Sequence, residues 1–178
     1  LTEQKGLDLL LPIIPNIVET GAQLAILGTG DPKLEKSLQQ LASQYPKQIS
    51  VTIGYNEELA HQIEAGAHLF LMPSKFEPCG LNQMYSMRYG TLPIVRQTGG
   101  LADTVVDATT NNIKNKTATG FVFEKKDSNA LLSCVQRALK IFRDKTTWRK
   151  LQVNAMSCDF SWRKSARQYI ALYHQLLS

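Results

Sequence analysis

The sequence has 178 residues, 43% of them apolar, and a net charge of +5. That length and apolar content suit one domain with a full hydrophobic core. They exclude a membrane span, because no uninterrupted apolar run is long enough to cross a bilayer.

In chain order, residues 7–18 carry helical apolar spacing interrupted by Pro12 and Pro15. This predicts a helix that bends or splits. Residues 23–27 (QLAIL) read as a short buried strand closed by Gly28, Thr29 and Gly30. Asp31 is placed to cap the next helix, with Pro32 at its first position. That helix runs to about Tyr45 on a stripe of Leu34, Leu38, Leu41 and Ala42. Residues 49–53 form a strand ending at Gly54 and Tyr55. Asn56 caps a helix running to about Ala65, and residues 69–72 follow as a strand. Residues 80–89 predict a helix stopped by Gly90, and residues 92–95 a strand. Residues 111–119 (NNIKNKTAT) read as a polar surface loop, and residues 121–123 as the last strand. Helices over about 129–143, 147–156 and 162–177 complete the chain.

The strands are continuously apolar rather than alternating, as in a parallel sheet covered by helices on both faces. The expected fold class is therefore α/β, a three-layer Rossmann-like parallel sheet in a single domain over residues 1–178. A doubly wound sheet wants a strand before residues 1–6. A first strand and a partner domain are thus expected upstream.

The densest cations, Arg137 to Arg167, alternate with apolar residues. They suit solvated helix faces, without the aromatic-interleaved stripe of a nucleic-acid binder. A polyanion-binding surface is the alternative. Cys79, Cys134 and Cys158 are odd in number and far apart. They point to neither a disulfide framework nor a CxxC metal site, but to a reducing compartment. His61, His68 and His174 have no metal-ligand partners nearby and read as structural.

In an open α/β sheet, ligands bind beyond the carboxyl ends of the strands. Four loops reach that edge: Gln4-Lys5-Gly6, Gly54-Tyr55-Asn56, residues 74–82, and residues 98–101. The third begins at Ser74 and holds Glu77, Cys79, Gly80, Leu81 and Asn82. Its Gly80 allows close backbone approach, and the helix start behind it offers free N–H groups that favour phosphate. Gly99 and Gly100, after Thr98, can form a second nest of donors. Lys5 supplies a full positive charge for a diphosphate, and Tyr55 can stack on a planar base. Glu77 can accept hydrogen bonds from sugar hydroxyls and stabilise an oxocarbenium-like transition state. Singly, most of these features have plainer alternatives: a common glycine turn, a solvated lysine, a packing tyrosine, a small filler cysteine. What sets them apart is their placement at one predicted edge.

The segments QKGLDLL, LGTGDP, IGYNEELAH, PSKFEPCGLNQMYSMRYGTLPIVRQTGGLADTV, TGFVFE and DFSW closely resemble the bacterial glycogen synthase and plant starch synthase family. These are retaining glycosyltransferases of the two-lobed GT-B type, and the resemblance is to the C-terminal, nucleotide-sugar-binding lobe. It implies transfer of glucose from ADP-glucose to the non-reducing end of an α-1,4-glucan, with no required metal. It implies no nucleic acid or membrane partner, and a cytoplasmic location in a bacterium or a plastid location in a plant. By resemblance, Lys5 contacts the donor phosphates, Tyr55 lies beside the adenine, and Glu77 positions the donor glucose. Ser74, Cys79, Gly80, Leu81 and Asn82 surround the sugar and diphosphate. Thr98, Gly99 and Gly100 form the turn at the distal phosphate.

The sequence departs from the wider GT-B pattern at Tyr85, where many relatives carry a second glutamate. Ribose recognition by that carboxylate is therefore not expected. The family's arginine expected just before Leu1 lies outside this sequence, as does the N-terminal lobe with its Lys-Gly-Gly loop, acceptor groove and catalytic histidine. The isolated chain is accordingly expected to be inactive. Two other readings stay open: the same fold using UDP-glucose or another nucleotide sugar, and a non-catalytic nucleotide- or carbohydrate-binding module.

Overall fold

The computed structural model describes residues 1–177. The proline-bearing N-terminal helix is split. α1 (Leu7–Leu10) and α2 (Ile14–Glu19) are joined by a 3-10 turn at Leu11–Ile13. Pro12 offers no N–H and its ring crowds the preceding turn, so the α-helical ladder breaks there. Burial survives the break: Leu7, Leu9, Leu10, Ile13, Ile14, Ile17 and Val18 all face the core.

β1 (Leu24–Gly28), α3 (Pro32–Gln44), β2 (Ile49–Ile53) and α4 (Glu57–Gly66) form the next unit. The Asp31 carboxylate accepts from the N–H groups of Lys33 and Leu34 at 2.7 and 3.4 Å. Asn56 accepts from Leu59 at 2.9 Å. Both caps satisfy donors that a helix start otherwise leaves unpaired. The chain continues through β3 (Leu69–Met72), α5 (Asn82–Tyr89), β4 (Leu92–Arg96), α6 (Gly99–Thr104), α7 (Thr110–Lys114) and β5 (Phe121–Phe123). It ends with α8 (Ser128–Arg143), α9 (Lys145–Met156) and α10 (Trp162–Leu177).

The class is the expected α/β arrangement, parallel strands flanked by helices. All paired strands run parallel, Leu24 opposite Ile49, Leu69 opposite Leu92 and Ile94 opposite Phe121. The strands form two ladders, β1–β2 and β3–β4–β5, and none joins them among the described residues. Leu92, Ile94, Val95 and Phe121 are fully buried at the centre of the second ladder. α8 covers it with Leu131, Cys134, Val135 and Ala138. Burial pushes the Cys134 thiol up to about 11, which leaves it protonated and inert.

Three local features differ from the sequence reading. Residues 111–119 are not all loop. Thr109 accepts from the Asn112 N–H at 3.2 Å and starts α7, while the Asn112 side chain donates to the Asp107 carbonyl at 2.9 Å. α5 starts at Asn82 rather than at Gly80, because Gly80 sits at φ +70, outside the right-handed helical region. Gly99 and Gly100 are the first residues of α6, not a free turn.

One ion pair fixes the connection between α6 and β5. Arg137 donates to both carboxylate oxygens of Asp107 at 2.7 and 3.2 Å, and Asp107 also accepts from the Val122 N–H at 2.7 Å. α10 contrasts with the other long helices α3, α4, α5, α8 and α9, each of which buries at least one residue. None of its described residues is buried, and Trp162, Tyr169, Ile170, Tyr173, Leu176 and Leu177 are exposed.

Candidate functional site

The loops beyond β3 and β4 meet the turn before α1, and there the structure gathers most of the residues singled out in the sequence. The Lys5 ammonium contacts the Glu77 carboxylate, a pairing across 72 positions of sequence. The Ser74 hydroxyl donates to the same carboxylate oxygen at 3.3 Å. Glu77 is nearly buried, its side chain 11% exposed, whereas the Lys5 side chain is 52% exposed. A buried carboxylate needs such partners to offset the hydration it gives up. Lys5 is the partner with room to swing toward an incoming anion.

The two loops are stitched together along their length. The Lys75 N–H donates to the Gln4 carbonyl at 2.8 Å, and the Gln4 amide to the Phe76 carbonyl at 3.4 Å. The Lys75 ammonium pairs with Asp8 at the start of α1. From the end of β4, the Arg96 guanidinium donates to the carbonyls of Ser74, at 2.9 Å, and Lys75. Lys75 and Arg96 are rim-holding residues that the sequence reading passed over. A cation at the last position of a buried strand is a sequence signal that could have found Arg96.

Glu77 is followed by the turn through Cys79 and Gly80, with Cys79 exposed. Leu81 and Asn82 are also exposed, and α5 starts there without a side-chain cap among the described residues. Its first N–H groups thus face the rim, where the helix dipole favours an anion.

Thr98 precedes α6 and, like Leu81, provides no side-chain cap. The Gly100 N–H is already used: it donates to the carbonyls of Glu77 and Pro78 at 3.2 and 3.1 Å. Of the two donors expected in this nest, Gly100 therefore ties the loops together. The glycines are required by contact. A Cβ on Gly99 would overlap the Glu77 carbonyl oxygen, and one on Gly100 the Cys79 carbonyl oxygen.

Tyr55 stands apart. It lies just past β2, is 86% exposed, and makes no hydrogen bond or ring contact with the cluster around Glu77 among the described residues. The ends of β1 and β2 are joined by the Gly54 N–H donating to the Gly28 carbonyl at 3.1 Å. Among the described residues no group of three or more His, Cys, Asp or Glu side chains could hold a metal ion. No described helix is long and apolar enough to cross a membrane.

Comparison with known proteins places this rim in context. Residues 1–150 match the family described as glycosyl transferases group 1. The chain is 54% identical over 176 residues to a glycogen synthase of Haemophilus influenzae (strain PittEE), with 99% of this chain and 37% of that protein covered. It is 51% identical over 178 residues to glycogen synthase 2 of Nitrosococcus oceani, with 100% and 36% covered. The chain thus spans little more than a third of the length of these relatives. Among solved structures it superposes on the catalytic domain of starch synthase IV from Arabidopsis thaliana, bound to ADP and acarbose. That match has a TM-score of 0.86 at 36% identity, covering 98% of this chain and 36% of that one.

Proposed function

Because this chain belongs to the glycosyl transferases group 1 family, we propose that it is the donor-binding lobe of a glycogen synthase. The reaction is transfer of glucose from ADP-glucose to the non-reducing end of an α-1,4-glucan, with retention. The observation that carries this reading is the Lys5–Glu77–Ser74 cluster, a half-exposed cation and a nearly buried carboxylate at one strand edge.

In this reading the Glu77 carboxylate accepts hydrogen bonds from the donor glucose and opposes the positive charge that develops at the sugar carbon. Lys5 leaves Glu77 to neutralise the diphosphate. The N–H groups at Leu81 and Asn82, with the helix dipole behind them, hold the phosphate oxygens. Cys79 and Gly80 line the sugar, Thr98 and Gly99 lie against the distal phosphate, and Tyr55 stacks on the base. The charge is handled by protein groups alone, so no metal is required. The glucan acceptor is held mainly by a separate N-terminal lobe that closes over the donor and excludes water. By itself the 178-residue chain has negligible transferase activity. Free thiols at Cys79, Cys134 and Cys158 suit a cytoplasmic setting.

Calorimetric titration with ADP, ADP-glucose and UDP tests the reading. Lys5→Ala should weaken ADP by about ten- to a hundredfold, the worth of a charge-assisted contact. Glu77→Gln should weaken ADP-glucose and spare ADP. Affinity for ADP untouched by Lys5→Ala would defeat the assignment. A second reading, with UDP-glucose as donor, rests on one observation: Tyr55 is an exposed ring with no hydrogen-bond partner among the described residues, and such a ring stacks on either base. Tighter binding of UDP than ADP would select it. Binding of glucans but of no nucleotide would instead mark a carbohydrate-binding module.

A further inference from the structure

Gln83, in the first turn of α5, is fully buried, yet its side chain reaches back toward the rim rather than into the apolar core. Its amide nitrogen donates to the carbonyls of Cys79 and Gly80 at 3.2 and 3.0 Å, and to the Thr104 hydroxyl at 3.1 Å. Two hydrogens serve three acceptors, so one of them is shared. Thr104, at the end of α6, passes the link on. Its hydroxyl donates to the Gly100 carbonyl at 2.6 Å. Gly100 then closes the ring through its N–H to the carbonyls of Glu77 and Pro78.

We propose that Gln83 is a positioning residue: acting through Thr104, it locks the Cys79–Gly80 turn and the Gly99–Gly100 start of α6 into a single rigid wall of the donor site. The inference rests on the donor-site reading for its purpose, but the coupling itself is a property of the fold. Three arguments carry it. First, the Cys79 and Gly80 carbonyls are drawn inward to Gln83, which turns this stretch of backbone away from the ligand side by its oxygens. Repulsion between those oxygens and a bound phosphate is thereby avoided. Second, the arrangement requires Gly80. A Cβ there would lie 2.6 Å from the Gln83 amide oxygen, and φ at Gly80 is +70. Third, that amide oxygen is buried without a hydrogen-bond partner among the described residues. An orphaned buried acceptor is costly. A core packing role alone would be better served by Met or Leu, so the amide is there for what its nitrogen holds.

The test has a ligand-free arm and a ligand arm. Backbone 15N order parameters are measured at residues 79–81 and 99–101 in Gln83→Met, Thr104→Val and Thr104→Ser. Met87→Ala, a buried change one helical turn further along α5 at a side chain that holds neither segment by a hydrogen bond, serves as the stability control. Gln83→Met and Thr104→Val should each lower the order parameters from about 0.85 to below about 0.6 in both segments together. Combining them should do no more than either alone, because they break the same chain of contacts. Thr104→Ser, which keeps the hydroxyl, should restore the parent behaviour. Loosening of residues 79–81 alone, additive effects, or a silent Thr104→Val would overturn the proposal. So would Met87→Ala loosening the two segments to the same degree. Should Gln83→Met fail to fold, Thr104→Val and Thr104→Ser decide the matter by themselves. In the ligand arm, both coupling variants should weaken ADP about tenfold in the calorimeter. A parent chain that shows the coupling but binds no ADP defeats the donor-site reading and leaves the coupling standing.

Discussion

Beyond β3 and β4 the rim is cross-linked in every direction: Lys5 to Glu77, Arg96 to two carbonyls, Gln83 to Thr104, and Gly100 back to Glu77. Beyond β1 and β2 the ties are fewer, and one of them comes from Leu1, whose carbonyl accepts from the Asp31 N–H at 2.8 Å. The Glu35 carboxylate ties down Thr29 and Gly30, and one backbone bond joins Gly54 to Gly28, but Tyr55 projects unsupported. The strands beneath follow the same division. β4 is buried along almost its whole length, whereas β1 and β2 are buried only at their first residues, Leu24 and Ile49, and half-buried or exposed after them. The difference teaches where recognition is built in advance. Under the proposed reading, charge and hexose would meet a preformed wall, and the base would meet an exposed ring. The halves are joined at Thr91, whose buried hydroxyl reaches the carbonyls of Glu64 and Ala67 at the end of α4.

A pair of glycine substitutions should break this contrast most sharply. Gly100→Ala drives a methyl into the Cys79 backbone and should cost about 3 kcal/mol. Gly66→Ala, in the other half, meets nothing within 4 Å. It should be neutral or stabilise by about 0.5 kcal/mol through the unfolded chain. Urea midpoints compare the two directly, and equal shifts would show that the rim tolerates movement at Gly100. Core truncations sharpen the same contrast. Ile94→Ala, in fully buried β4, should cost about 3–4 kcal/mol. Ile26→Ala, in half-buried β1, should cost about 1–2 kcal/mol.

Much of the cross-linked half was legible in the sequence, for reasons the residues make plain. The run Leu92–Val95 is apolar and short, and Gly90 stands two residues before it. The Glu77 loop follows a strand directly, so its place at the carboxyl edge comes from topology alone. What could not be read was which backbone donors are spent internally. Gly100 is a donor in any isolated turn, and only the approach of the Glu77 loop consumes it. Gln83 was hidden for a similar reason. A polar residue at the start of a helix ordinarily reads as solvated, and only the fold buries it beneath the Cys79–Gly80 turn and the start of α6. The α7 turn escaped because NNIKNKT is uniformly polar. Its order comes from a Thr109 cap and the contact of Asn112 with Asp107, not from an apolar face.

The less cross-linked half makes its own prediction for ligand binding. Tyr55→Ala removes only an exposed ring, so thermal stability should stay within about 0.5 kcal/mol of the parent. ADP affinity should still fall by about five- to tenfold, the lower end of what one base–aromatic stack is worth. Unchanged affinity in calorimetry would remove Tyr55 from the site. A large loss of stability would show that the ring packs on the protein after all.

The smallest effect concerns Glu64, on α4 beside the junction between the halves. It is 8% exposed and no ion pair is formed to its carboxylate among the described residues. Burial therefore raises its carboxyl above the usual 4.5, against a weaker opposing pull from His61. The sign follows directly. A raised native value means that the folded chain holds this proton more tightly than the unfolded one. Stability then declines as pH climbs from 4.5 through the raised native value, and the penalty is fully present above it. Glu64→Gln keeps the shape and the carbonyl contact to Thr91 but removes the charge. It should thus stabilise the chain modestly at pH 7 and give no advantage at pH 4, where the native carboxyl is already protonated. Urea unfolding of both proteins at the two pH values is the measurement, and an advantage that does not depend on pH would show that Glu64 is not held unpaired. If the advantage does vanish at pH 4, the looser half owes part of its weakness to a single carboxylate at the place where it meets the rigid one.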